Sequence, residues 1–70
     1  MDQFQLDGRP YVALYKLLKL EGWCETGAAA KHTIDAGRVR VNGEVELRKR
    51  CKITAGQVVE LGEESIEVVD

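Results

Sequence analysis

The dipeptide Asn42-Gly43 constrains the fold of this chain more than any other feature of the sequence. Before it, Val39 and Val41 alternate with arginines, and after it the stretch EVEL continues the alternation of apolar and polar residues. Such a period of two is typical of a strand with one buried face. Asn-Gly is the strongest short signal for a hairpin, because both residues tolerate positive φ angles. The segment 39–47 is therefore predicted to form a β-hairpin.

Two helices are predicted ahead of this hairpin. The stretch YVALYKLLKL carries apolar residues at helical spacing, which predicts a first helix over about 10–21. Pro10 suits the first turn of that helix, and Gly22 is a typical residue just beyond a helix end. Thr26 is a favourable N-cap for a second helix, which Gly37 ends.

Short strands are predicted on both sides of this helical region. Phe4 and Leu6 alternate with polar residues before an Asp-Gly turn, which predicts a short first strand. After the hairpin, the runs 58–61 and 66–69 are rich in valine and are separated by turn residues. If 48–53 stays extended, its basic residues at even positions share one face. The order of strand, two helices and several strands indicates an α+β domain.

Size and composition predict one globular domain over residues 1–70, outside the membrane. The chain is 44% hydrophobic and 31% charged, and no stretch approaches the roughly 20 apolar residues of a membrane span. The first ten residues lack the basic start and apolar run of a signal peptide, so we expect a cytoplasmic protein. Cys24 and Cys51 fit that compartment as reduced thiols, with a disulfide or redox pair as the alternative. Two cysteines and one histidine are too few ligands for a zinc site.

Charge is segregated along the chain. Residues 9–52 hold all ten lysines and arginines against five carboxylates, whereas residues 53–70 hold five carboxylates and no basic residue. Interspersed charges would serve solubility equally well. Segregation therefore indicates a positive face directed at a polyanion. The alternative is that the basic run at 48–52 merely protects the edge of a sheet.

The arrangements that carry catalysis are missing from the sequence. There is no nucleophile with a nearby base, no pair of carboxylates close to His32, no glycine-rich phosphate loop and no cluster of metal ligands. We therefore expect no enzymatic activity, no metal and no cofactor.

The segment from Leu17 to Leu61 resembles the RNA-binding domain named after small-subunit ribosomal protein S-four, also called the alpha-L motif. The shared marks are Leu17-Leu18, Gly27, Ala30-Lys31, Ile34, Gly37, the stretch VRVNG at 39–43, the basic run at 48–52, and Gly56 before Val58-Val59. The match covers about two thirds of the chain and keeps their order and spacing. With its short extra first strand, the whole chain is similar to the small stand-alone bacterial members of this family.

The resemblance implies both a fold and a function. The fold is two helices packed against a small, mainly antiparallel sheet, with an alpha-L core at about 10–61 and a short extra N-terminal strand. The function is non-catalytic binding of structured RNA, ribosomal or transfer RNA, by a protein that we expect to be a monomer. The rival hypothesis is a protein–protein interaction module, for example a ribosome-associated adaptor. Ala28 and Ala29 depart from the family, because many relatives carry a glycine, an acidic residue or an arginine there.

Nine residues are expected on the RNA-binding face because of this resemblance. They are Lys31, Arg38, Arg40, Asn42, Gly43, Arg48, Lys49, Arg50 and Lys52. Forked guanidinium groups suit phosphate oxygens, which favours such a role for the arginines.

The roles of several polar and aromatic residues stay open in the sequence. Asp35 lies four residues after Lys31, so it either holds that lysine in place or partly neutralises it. Asn42 is either a turn former or an RNA contact. Tyr11, Tyr15 and Trp23 have the ring faces on which bases stack, but their placement favours packing in the core or at its rim.

Overall fold

A computed structural model describes residues 2–70, which form two helices and seven strands. The elements in chain order are β1 (Asp2–Gln5), β2 (Val12–Ala13), α1 (Leu14–Leu20), α2 (Gly27–Asp35), β3 (Val39–Val41), β4 (Glu44–Val45), β5 (Lys52–Ile53), β6 (Val58–Leu61) and β7 (Glu64–Val69).

Five of the strands form one mixed sheet in the order β1-β7-β6-β3-β4. Its neighbours are antiparallel, except that β1 runs parallel to β7. The short strands β2 and β5 form a separate antiparallel pair. The predicted α+β fold of two helices, a small and mainly antiparallel sheet and a short first strand is confirmed.

The hairpin predicted at 39–47 is present, and Asn42 forms its turn. Asn42 has a φ of 53° and Gly43 a φ of 84°. Asn42 also anchors the turn to β6, because its N–H donates to the Val58 carbonyl at 2.8 Å and its Oδ1 accepts from the Val58 N–H at 2.9 Å. The returning strand is shorter than predicted and consists of Glu44–Val45.

The second helix has the predicted ends. Its N-cap is Thr26, whose Oγ1 accepts a hydrogen bond from the Ala29 N–H at 3.0 Å. Its C-terminal side is closed by Gly37, which has a φ of 74° and donates its N–H to the Ile34 carbonyl at 3.0 Å. A left-handed glycine in this place satisfies carbonyls that the helix leaves unpaired.

The first helix begins later than predicted, at Leu14 instead of about residue 10. The two residues before it form β2 and pair in register with Lys52 and Ile53. The first N–H groups of the helix donate to a segment that is distant in the sequence. Leu14 donates to the Cys51 carbonyl at 2.9 Å, and Tyr15 donates to the Lys49 carbonyl at 3.1 Å. These long-range bonds satisfy donors that an isolated helix start would leave free.

The extended conformation considered for 48–53 is wrong over most of that segment. The Cys51 N–H donates to the Arg48 carbonyl at 3.2 Å, which closes a turn over 48–51. Only Lys52–Ile53 forms a strand. The Lys49 and Cys51 carbonyls of this turn accept hydrogen bonds from the first N–H groups of α1.

The core lies between the helices and the sheet. Its members are the buried apolar residues Phe4, Leu6, Val12, Leu14, Leu17, Leu18, Ala30, Ile34, Val39, Val41, Ile53, Val59, Ile66 and Val68. Trp23 is partly buried and packs against this core. Cys24 and Cys51 are both free and half-buried. Neither helix within residues 2–70 has the length and apolar character that a membrane crossing requires.

Candidate nucleic-acid interface

Tyr15 lies where the starts of both helices meet the turn at 48–51. The Nζ of Lys31 lies 4.6 Å from the centroid of its ring, and the Cζ of Arg50 lies 5.9 Å from it. Gly27, at the start of α2, is so close that a Cβ there would lie 3.7 Å from the ring. A cation over an aromatic face is attracted by the ring quadrupole. Tyr15 therefore holds together two cations that are 19 residues apart in the sequence.

Tyr11 forms a second, more exposed aromatic site beside the first. Tyr11 is 42% exposed, and the Nζ of Lys52 lies 5.1 Å from the centroid of its ring. Both tyrosines line one recess of about 510 Å³, which we call the tyrosine recess. Its walls are formed by Arg9, Pro10, Tyr11, Val12, Ala13, Tyr15, Lys16, Arg50 and Lys52.

Two cations of the tyrosine recess were not among the predicted site residues. Lys16 is exposed on α1, and Arg9 lies in the loop before β2. The Nε of Arg9 donates to the Leu6 carbonyl at 2.7 Å, which fixes the guanidinium group at the rim. The signal in the sequence was that Tyr11 and Tyr15 stand among basic residues. The predicted packing at the rim of the core is correct for Tyr15, whereas Tyr11 is exposed.

Arg48 and Lys49 differ from Arg50 and Lys52, because carboxylates partly neutralise them. The Nε of Arg48 lies 3.0 Å from Glu46 Oε2. The Nζ of Lys49 lies 3.0 Å from Asp35 Oδ2. Asp35 thus forms its ion pair with Lys49 and not with Lys31. The sequence had left open whether Asp35 holds Lys31 in place or partly neutralises it, and the structure shows neither pairing.

Arg38 and Arg40 lie apart from the tyrosines. Val39 and Val41 point into the core, so the exposed Arg40 projects from the opposite face of β3, in register with Glu60 of β6. A separate recess of about 440 Å³ is formed by Gly37, Arg38, Arg40, Glu60 and Gly62. It shares no lining residue with the tyrosine recess, so the structure does not gather all predicted residues on one site.

The hairpin turn is connected to the tyrosine recess through two adjoining recesses. Arg50 and Lys52 also line a recess of about 470 Å³, in which they are joined by Arg48 and Gln57. Arg48 and Gln57 in turn line a recess of about 370 Å³ that includes Asn42 and the carboxylates Glu44 and Glu46, so the positive charge is concentrated toward the tyrosine recess. Gly43 follows Asn42 in this turn. The surface from the tyrosine recess to the hairpin turn is thus continuous, and we call it the basic groove.

Glu46 is held in its charged form by Arg48. The Arg48 side chain and the Arg48 N–H both donate to its carboxylate, at 3.0 Å each, and they lower the pKa of Glu46 to about 2. Burial is the main cause that raises the pKa of the neighbouring Cys51 thiol. Among residues 2–70, no group of three or more His, Cys, Asp and Glu residues is placed to hold a metal ion.

The lowered pKa of Glu46 makes stability depend on pH. The folded state binds the carboxyl proton of Glu46 more weakly than the unfolded state does. The stabilisation that the Arg48–Glu46 contacts provide is therefore complete above about pH 5 and disappears as the pH falls to about 2. We expect Glu46→Gln to be less stable than wild type at neutral pH, with the difference closing in acid. Urea midpoints measured between pH 7 and pH 2 test this. Glu44→Gln is the control, since Glu44 is exposed and has no ion pair within the described residues.

Comparisons with known proteins relate the sequence to one protein family. A family model described as the S4 domain matches residues 4–69. The chain is 55% identical over 69 residues to "Putative RNA-binding protein YbcJ" of Escherichia coli (strain K12), with 99% of each protein covered. It is equally similar to YbcJ of Shigella flexneri, with the same coverage.

A solved structure shares the fold as well as the sequence. The solution structure of YbcJ from E. coli has a TM-score of 0.77 and 54% identity, and the match covers 100% of this chain and 89% of that one. That structure is described as revealing an alfaL motif involved in RNA-binding.

Proposed function

Because the chain belongs to the S4 domain family, as its resemblance predicted, we propose that it is a non-catalytic protein that binds structured RNA. The proposed ligand is ribosomal or transfer RNA, and the protein acts as a monomer. The relationship to YbcJ supports RNA binding, since the structure of that protein is described as containing a motif involved in RNA-binding. The two free cysteines fit a reducing compartment, and we propose the cytoplasm.

The observation that carries this proposal is the convergence of cations on the two tyrosines. Lys31 comes from α2, Arg50 from the turn at 48–51 and Lys52 from β5, yet all three lie within 6 Å of a tyrosine ring centroid. None of the three has an ion pair within residues 2–70. Unpaired cations at several fixed points of one surface suit the evenly spaced phosphates of a polynucleotide.

Contacts to phosphates and shape are the expected mode of recognition. Helical RNA hides its bases in a deep and narrow groove, so proteins recognise its phosphates, its 2′-hydroxyl groups and its shape. We propose Lys31, Arg50 and Lys52 as the main contacts, joined by Arg9 and Lys16. Most of the other predicted residues lie along the basic groove or beside the outer face of the sheet and contribute less. These are Arg38, Arg40, Asn42, Gly43 and Arg48. Lys49, which pairs with Asp35 in the turn at 48–51, contributes least.

A second candidate function is docking of another protein at the edge strand β4. Val45 is 51% exposed and Leu47 is 57% exposed. Both lie near Gly37, where an added Cβ would be 3.9 Å from Val45 and 4.0 Å from Leu47. Exposed apolar residues at a sheet edge favour contact with a partner chain. Capture of a partner that survives nuclease treatment and is lost in Leu47→Glu would support this candidate.

Salt dependence of RNA binding tests the main proposal. Neutralising about five phosphates makes log K fall with log[salt] at a slope of roughly −3 to −5, because bound counterions are released. The slope can be measured by fluorescence anisotropy with labelled transfer RNA or a ribosomal RNA fragment, between about 50 and 300 mM salt. A flat titration, or no binding at the lowest salt, contradicts the proposed function.

A further inference from the structure

We propose that the tyrosine recess accepts one unstacked nucleotide of a folded RNA. The base stacks on Tyr11, and the adjacent phosphates meet Arg50 and Lys52. This inference rests on the proposed function and adds a specific ligand for one part of the basic groove.

The recess combines an apolar wall with a charged rim. Pro10, Tyr11, Val12 and Ala13 form one continuous stretch of its lining, and Arg9, Lys16, Arg50 and Lys52 supply the cations. Its volume of about 510 Å³ lies within the range of pockets that enclose small organic ligands. An apolar wall with cations around it matches a nucleotide, which has a flat base and an anionic phosphate.

Tyr11 is the ring that is available for stacking. It is 42% exposed, although the next residue, Val12, is only 4% exposed and is fixed in register with Ile53 of β5. The backbone that carries Tyr11 is therefore held in place while the ring stays open to solvent. Tyr15 is half-buried and has Gly27 packed against its ring. It carries two cations, Lys31 and Arg50, so it positions the cations rather than receiving a base. Tyr11 carries one cation, Lys52, 5.1 Å from its ring centroid.

An unstacked nucleotide fits this recess better than a paired one. In an RNA helix the base faces are covered by their neighbours, so a ring inside a recess reaches a base only in a bulge, a loop or an end. Lysines and arginines at the rim then contact the phosphates on either side of the extruded base. Cation contacts alone would bind paired and unpaired RNA equally, so the aromatic ring supplies the preference.

The test compares two synthetic RNA hairpins that differ by a single bulged adenosine. We expect wild-type protein to bind the bulged hairpin more tightly than the fully paired one in fluorescence anisotropy titrations. Tyr11→Leu should weaken binding of the bulged hairpin by roughly 5- to 150-fold, the range that one base–aromatic stack provides. It should weaken the paired hairpin much less, because only the position of Lys52 changes there, and it should leave the salt slope unchanged, because no charge is lost. Tyr11→Phe keeps the ring and should bind as wild type does.

The outcomes separate this inference from the proposed function. Equal binding of both hairpins by wild type, or unchanged binding by Tyr11→Leu, overturns the nucleotide pocket while RNA binding stands. Absence of binding to both hairpins contradicts the proposed function, and the inference falls with it. Free adenosine monophosphate can be added as a competitor to each hairpin complex. If it displaces both hairpins equally, the recess is a site for free nucleotides, and this result also overturns the inference. The urea midpoint of Tyr11→Leu, monitored through Trp23 fluorescence, establishes that the variant is folded.

Discussion

Replacing Leu17 with alanine is expected to lower the free energy of unfolding by about 2–5 kcal/mol, the usual cost of removing a buried leucine side chain. Leu17 is 0% exposed and lies in the core between the two helices and the sheet. A domain of this size has a total stability of about 4–10 kcal/mol. The substitution therefore removes a large share of the stability and shifts the urea midpoint to a clearly lower concentration.

Leu20 provides the matched control for this substitution. It lies on the same helix, three residues further on, and is 60% exposed. We expect Leu20→Ala to change the free energy of unfolding by less than about 0.5 kcal/mol, since it leaves no cavity. Urea titrations of both variants can be monitored through Trp23, the one tryptophan of the chain. Similar losses in the two variants would contradict the placement of α1 against the core.

The elements that the sequence predicted correctly are those specified by neighbouring residues. Asn42-Gly43 forms its turn through local backbone angles, and the Val39 alternation is satisfied within the same hairpin. The second helix carries its own cap at Thr26 and its own stop at Gly37. Such signals act over a few residues, so they can be recognised without knowledge of the rest of the chain.

The elements that were predicted wrongly are determined by distant contacts. Residues 12–13 pair with 52–53, and the first N–H groups of α1 donate to carbonyls of Lys49 and Cys51. The helical spacing of the leucines was correct from Leu14 onwards, but the residues before it join a strand instead. No local pattern distinguishes these outcomes, because the partner lies nearly 40 residues away.

The candidate site was predicted in part, for a similar reason. Lys31, Arg50 and Lys52 were selected from the resemblance, and the structure brings them to the two tyrosines. Arg9 and Lys16 were missed, because only the pairing of β2 with β5 places their segment beside the basic run. The ion pairs of Arg48 and Lys49 depend on the turn at 48–51, which the extended prediction did not contain.

Reversing the charge of Arg50 and Lys52 to glutamate is expected to weaken RNA binding by about 100-fold or more near 100 mM salt. Each change removes one proposed phosphate contact and adds a repulsive charge, and the loss of two contacts would reduce the salt slope by about 1.4–1.8. The fold should persist, because both residues are exposed and neither has an ion pair within residues 2–70. Anisotropy titrations at several salt concentrations give both the dissociation constant and the salt slope.

Lys19→Glu separates the position of a charge from its effect on net charge. Lys19 is exposed on α1 and lines neither the tyrosine recess nor the basic groove. Lys19→Glu changes the net charge by the same amount as Lys52→Glu alone. We expect Lys52→Glu alone to weaken binding about tenfold. If binding depends on cations held at the tyrosines, Lys19→Glu loses much less than that. Equal losses in these two single variants would show that the RNA responds to net charge alone, and the site assigned to the tyrosine recess would be wrong.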